Sequence, residues 1–219
     1  MTEVDGFYDD VQDQSYNMVM YLVEPDGSQK ERRLTYKAKG EYFAITHFHY
    51  PDSVNGMGFL QEPGDNMHVY LPEFQKVRKV AAHTKRQSFM GSDFSYHDMN
   101  NERYTHDYDA ELVDDSGDSY IVKLTPKPGV DIEYSKLMLT VEPGTFMIDT
   151  IEFYDEGGQK VKLQTREDAV KLDNIWMQRK ITMEDLRSHH KTVLLLQDIK
   201  LNTGISDDEF SVRNLRRVN

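Results

Sequence analysis

Residues 175–201 read IWMQRKITMEDLRSHHKTVLLLQDIKL, and this stretch decides the fold class. Ile175, Met177, Ile181 and Met183 fall on one parity, while Gln178, Lys180, Thr182 and Glu184 fall on the other. An extended chain turns successive side chains to opposite sides, so the run predicts a strand with one apolar and one wetted face. Beyond residues 188–191 the pattern resumes, with Val193, Leu195, Ile199 and Leu201 set against Thr192, Asp198 and Lys200. That is the pattern of an antiparallel neighbour, and the two runs together predict a long hairpin.

The same rhythm extends outward. Turn residues punctuate the chain at Pro25-Asp26-Gly27, Pro51-Asp52, Pro63-Gly64-Asp65, Asp114-Asp115-Ser116-Gly117, Pro143-Gly144 and Glu156-Gly157-Gly158. Between them, strands are expected at 18–23, 33–38, 41–50, 67–71, 75–82, 103–113, 120–125, 135–141, 146–154, 160–165, 175–183 and 192–201. About a dozen strands do not stay flat, so the pattern predicts a mainly β chain with a strongly curved antiparallel sheet. Helical signals are few. Ser206 and Glu209 make a capping box ahead of Phe210 and Leu215, and residues 8–16 are too polar to assign. The longest stretches without a period are 83–101 and 51–65, and ordered loops of that length commonly cover something. No linker or internal repeat divides the chain, so 1–219 is expected to form a single domain.

A curled sheet has an inside. The residues expected there are Met20, Leu22, Phe43, Ile45, Val69, Leu71, Leu139, Met147, Ile151, Phe153, Ile175, Met177 and Leu195. Eleven methionines supply flexible, polarizable side chains suited to irregular apolar partners. The plainer alternative is that these residues pack only against one another.

Composition narrows the partners. The chain has 219 residues, a formal net charge of -12, 38% apolar residues and 11% aromatic residues. The aromatic content argues for a packed core, and the acidic surplus, spread along the whole length, repels a phosphate backbone, so nucleic acid is not an expected partner. No run approaches the roughly 20 apolar residues of a membrane-spanning helix. The absence of cysteine removes disulfides, thiolate metal sites and cysteine nucleophiles. Residues 1–10 do not read as a leader, so export would imply a leader already removed and a Met1 foreign to the mature chain.

Residues 69–99 read VYLPEFQKVRKVAAHTKRQSFMGSDFSYHDM. They combine a Tyr70-Leu71-Pro72 strand end, a basic strand Lys76-Val77-Arg78-Lys79 and a loop from Ser88 to Tyr96 that contains Met90, Gly91, Ser92, Asp93 and Phe94. This pattern resembles the outer-membrane lipoprotein-sorting family, the LolA-like members of the LolA/LolB superfamily. Looser similarity runs from Asn55-Gly56-Met57-Gly58-Phe59 to Ser206-Asp207-Asp208-Glu209-Phe210. The resemblance implies an unclosed β-barrel with a few short helices or loops as lid, a hydrophobic cavity and a periplasmic location. It implies a lipid or acylated lipoprotein as partner, or docking on an inner-membrane exporter of the RND/MMPL type. Neither a cofactor nor a metal is implied. Burying a methylene contributes about 0.8 kcal/mol, so ten would supply on the order of 8 kcal/mol before ordering costs, which suits a carrier.

Several side chains invite other readings. Arg78, Lys79, Lys85 and Arg86 are the densest basic cluster, fit for anionic headgroups or an acidic partner, or else a charged edge strand neutralised by Asp93, Asp98 and Glu102. Ser92, Asp93 and His97 are the ingredients of a hydrolase, but the second glycine of a nucleophile elbow is missing. Gly91 would then serve an unusual backbone angle, and Ser92 and Asp93 would bond neighbouring amides. His47 and His49 share a strand face without further expected metal ligands. Trp176 is expected to anchor a covering helix or to line a rim. Taken together, these readings favour a binder or carrier over an enzyme.

Overall fold

In the computed structural model, which describes residues 1–64, 66–99 and 103–217, the alternating runs become one antiparallel sheet. Among the described residues it has thirteen strands. The first six are β1 (Asp13–Val23), β2 (Gln29–Lys39), β3 (Phe43–Tyr50), β4 (Gly58–Glu62), β5 (Asn66–Leu71) and β6 (Lys76–Lys79). The rest are β7 (Tyr108–Asp114), β8 (Tyr120–Pro126), β9 (Lys136–Val141), β10 (Ile148–Tyr154), β11 (Lys160–Leu172), β12 (Ile175–Asp185) and β13 (Lys191–Leu201). Four single-turn helices accompany them, α1 (Thr2–Asp5), α2 (Phe7–Asp10), α3 (Tyr104–Asp107) and α4 (Val212–Leu215).

The sheet consists of two up-and-down meanders that meet where β1 pairs with β13, and it is not closed into a barrel. Its edges are β6 and β7. These two strands are consecutive in the chain, so residues 80–107 must run from one edge to the other. Residues 80–99 cross the inner face, where Phe89 and Phe94 join the same core as Met20, Leu22, Leu34 and Phe48. Curvature comes from irregular registers. Breaks lie between Ser15 and Asn17, between Arg33 and Leu34, and between Phe153 and Tyr154, and such bulges bend and twist the strands that carry them.

Directly paired residues share a face, so the registers trace the inside across the sheet. Phe48 pairs with Leu34, Leu34 with Met18, and Met18 with Leu196. On the other side Thr192 pairs with Met183, Met183 with Gln164, Gln164 with Ile151, and Ile151 with Leu139. The outer face is covered near β3 to β5, where Ile45, Leu60 and Tyr70 pack against Phe210 and Leu215.

Three expected inward residues lie elsewhere. Phe43 and Ile45 belong to this outer cluster, because the carboxyl-terminal segment supplies Phe210 and Leu215 to cover them. Leu195 pairs with Lys180 and Val19, away from the inside, while its neighbours Leu194 and Leu196 are buried there. Residues 193–196 are apolar throughout, so alternation alone does not choose their face. The predicted hairpin of β12 and β13 forms, but a bulge at Asp198, φ +53°, in the ladder with β1 breaks the parity assumed for Ile199 and Leu201. Strand β4 falls inside the stretch read as a loop. The helix expected after Ser206 is split into a 3-10 turn, Asp207–Glu209, and α4, with Glu209 bonded to Lys37 instead of returning to Ser206. The expected strand 103–113 begins with α3. Asp65, Asn101 and Glu102, each used in the sequence reading, lie outside the described residues.

Candidate functional site

The inner face is divided into a filled part and an open part. The filled part is an aromatic plug. Phe89 packs on Phe59 at 4.8 Å, on Tyr96 at 5.2 Å and on Phe48 at 6.1 Å between ring centroids. The loop that carries it is pinned at several points. Met90 and Gly91 both take left-handed backbone angles, φ +54° and +74°, and the Arg32 guanidinium donates to the Met90 carbonyl. Asp93 reaches β13. Its carboxylate accepts from the Thr192 hydroxyl at 2.7 Å and from His190 Nδ1 at 2.7 Å, and its amide donates to Thr192 Oγ1 at 2.9 Å.

Beside the plug a hollow of about 660 Å³ remains open. Its floor carries Met18 and Tyr36 from β1 and β2, Leu194 and Leu196 from β13, Ile175, Met177 and Ile181 from β12, and Ile151 and Phe153 from β10. Its roof comes from α1, α2, residues 94–99 and residues 103–108. The roof is tied down by buried Asp5, whose carboxylate accepts from the amides of Tyr104 at 3.2 Å and Thr105 at 3.0 Å, the unpaired first donors of α3. Arg103 adds bonds to Asp9 at 2.6 Å and Glu41 at 2.8 Å.

A polar knot holds the roof from the other side. Asp98 accepts from the Ser95 amide at 2.7 Å and from the Tyr134 hydroxyl at 3.2 Å, and Lys162 bonds Tyr134 at 2.8 Å and Glu133 at 3.1 Å. Burial pushes the Asp98 carboxyl up, opposed by the nearby Lys162 ammonium and the Ser95 amide. Burial likewise pushes the Tyr134 and Tyr108 hydroxyls far above their ordinary range, so both stay protonated donors. Within the hollow, Arg166 of β11 donates from Nε to Gln164 Oε1 at 2.7 Å and from Nη2 to the Tyr104 hydroxyl at 3.1 Å.

A family model described as an uncharacterized protein family matches residues 40–217. A DUF1329 family protein from Desulfovibrio piger is 28% identical and superposes with a TM-score of 0.88, with 98% of each chain covered. A domain assigned to outer membrane lipoprotein sorting from Vibrio parahaemolyticus is 24% identical with a TM-score of 0.83, covering 94% of this chain and 92% of that one. A LolA superfamily protein from Nitrosomonas europaea is 23% identical with a TM-score of 0.81, covering 97% and 96%. The chain belongs to the family that the matching family model describes, and its fold is LolA-like. At their level of identity the last two establish the fold alone. No curated protein matches the chain significantly.

In this chain the expected inner residues separate into groups. Met147, Ile151, Phe153, Ile175 and Met177 line the hollow. Met20, Leu22 and Leu139 face inward but are fully packed in the core, and Val69 packs against it from β5. Leu71 lies near the β6 edge, paired with Lys76. The basic residues do not form one patch: Arg78 and Lys79 are exposed on β6, Lys85 is buried, and Arg86 pairs with Asp131. Asp93 and Asp98 are engaged elsewhere and do not neutralise them.

The trio Ser92, Asp93 and His97 is not assembled. Asp93 holds His190, whereas His97 lies 3.6 Å from Asp107 and Ser92 donates to the Phe94 carbonyl. The Asp93 side chain therefore reaches a distant strand and not neighbouring amides. His47 bonds the Asn214 carbonyl at 3.2 Å and His49 bonds Thr35 at 3.0 Å. Trp176 is partly exposed at the rim, with the Lys171 ammonium 5.7 Å over its ring. Sequence reading missed Met18, Ile181, Leu194, Leu196 and Arg166. For the first four the signal was present in their alternation with polar neighbours or within an apolar run. Arg166 carries no such signal.

Proposed function

We propose that the protein is a periplasmic binding or carrier protein that holds a hydrophobic group, a lipid or the acyl chain of a lipoprotein, inside its half-open sheet. The observation that carries this reading is the hollow of about 660 Å³ left open beside a packed plug. Small-molecule sites commonly enclose about 300–1,000 Å³, and here an apolar floor faces a roof that brings polar and charged side chains. Likeness of fold to LolA superfamily proteins supports it further. Holding, and not bond cleavage, is the chemistry proposed, because the side chains that would make a nucleophilic triad are engaged in separate structural bonds.

Native mass spectrometry of gently extracted protein tests the proposal. Wild type should carry added masses of lipid size. Replacing Ile175 or Met177 by Glu at the hollow should remove them while far-ultraviolet circular dichroism stays unchanged. Protein that never carries an apolar guest, and never takes up an apolar fluorescent probe, would refute it.

A further inference from the structure

Arg166 stands out among the charged groups at the hollow. It lies on the inner face of β11 opposite Ile181, in a chain with 38 acidic and 26 basic residues, where acidic partners are abundant. Yet among the described residues its bonds go only to neutral acceptors, Gln164 and the Tyr104 hydroxyl. Neighbouring cations are paired, Arg103 with Asp9 and Glu41, Lys162 with Glu133. The lining carboxylates are also engaged: Asp5 with two backbone amides, Asp98 with Lys162 and the Ser95 amide, Asp107 with His97. Glu3 and Asp10 belong to the short helices of the roof and are exposed.

A partly buried cation without a counter-charge is costly, and burial of arginine is normally compensated by an anion. Here two bonds fix the planar guanidinium and leave further N–H donors on its fork for an acceptor within the hollow. That fork suits a carboxylate or phosphate better than any neutral group does. Opposite it on β12 stands Ile181, and the same hollow is lined by Ile148, Met177 and Leu194. Of the carboxylates in the lining, Asp5, Asp98 and Asp107 are held by their own partners and Glu3 and Asp10 are exposed; negative charge farther off is screened beyond roughly 8 Å at physiological salt, whereas a contact inside the hollow is not.

We infer that the hollow takes a single-chain amphiphile with a compact anionic head, the head on Arg166 and the alkyl chain along the β12–β13 floor. The inference rests on the proposed binding of an apolar chain and narrows its cargo. Arg166 is then the residue that selects the head, with Gln164 and Tyr104 positioning its fork.

Displacement of the uncharged fluorophore N-phenylnaphthylamine from the wild-type protein tests it, with laurate, dodecanol and dodecyltrimethylammonium as competitors of equal chain length. Laurate should compete about tenfold better than dodecanol, and the cation worse than either. Arg166→Gln should erase that preference while leaving dodecanol within about twofold, and Arg166→Lys should restore part of it. Raising salt to about 1 M should weaken laurate and spare dodecanol in wild type, a readout that needs no variant. If dodecanol competes as well as laurate, or if Arg166→Gln weakens both equally, the anionic head is refuted and the apolar hollow stands. If none of the three competes and the fluorophore itself does not bind, the carrier reading falls and this inference with it.

Discussion

Replacing Asp93 by Ala should loosen the plug from the sheet. The side chain is 7% exposed and its carboxylate accepts two bonds, from the fully buried Thr192 hydroxyl and from His190. Because a carboxylate only accepts, the imidazole must carry its proton on Nδ1. A hydrogen bond to a charged group contributes about 1.5–3 kcal/mol, and a donor left without a partner in a buried place adds its desolvation cost. The Thr192 oxygen keeps the Asp93 amide, so only its donor function is orphaned. The two bonds at the low end of that range already amount to a loss of about 3 kcal/mol, which for a domain of this size lowers the melting temperature by roughly 6–12 °C. Urea unfolding followed by fluorescence measures the first quantity and calorimetry the second. Hydrogen exchange should locate the effect, with faster exchange at residues 88–96 and little change in β9 and β10. A loss below about 0.5 kcal/mol would show that Asp93 does not tie the plug to β13 and would refute the argument.

Acid stability should depend on Asp13. Burial would raise its carboxyl, but the Thr203, Gly204 and Ile205 amides and the Thr203 hydroxyl together hold it below the ordinary value. A depressed carboxylate stabilises the fold fully above about pH 4 and stops doing so as pH falls through its folded value. Asp13→Ala should therefore cost about 1–3 kcal/mol at neutral pH and flatten the acid limb of a stability profile, and an unchanged limb would count against it. Gly58→Ala should detach the outer cover, since an added Cβ would lie 2.8 Å from Leu215 Cδ1 and 3.2 Å from both the Leu215 carbonyl oxygen and the His47 ring. A destabilisation of about 1–3 kcal/mol is expected in urea, with exchange rising at 205–215, and a neutral result would mean that α4 shifts freely.

Alternation made most of the sheet legible, because β9, β10, β12 and β13 each bury one side. It failed where both sides are buried. Strand β4, Gly58–Glu62, is buried at four of its five positions, its inner side under the plug and its outer side under α4, so no period marks it. Phe43 and Ile45 show the related difficulty: their parity marks an apolar face, but which face of a curved sheet is concave depends on where residues 205–215 return. Leu195 was misplaced because three leucines in a row satisfy either parity. The hollow was legible only in part. Ile151, Phe153, Ile175 and Met177 could be read as inward, whereas Arg166 could not, because a charged residue in an alternating strand is assigned to water unless its neighbours are known.

The edge strands β6 and β7 follow one another in the chain, yet the meanders they end are joined side by side only through the β1–β13 ladder. The covalent tie between the two halves is thus the strap over the hollow. A single proteolytic nick within residues 80–107 would divide the polypeptide into two complementary fragments without removing one rung of that ladder. Such a nicked protein should elute as one species under native conditions and separate into two in denaturant, and its halves, expressed apart, should reassemble.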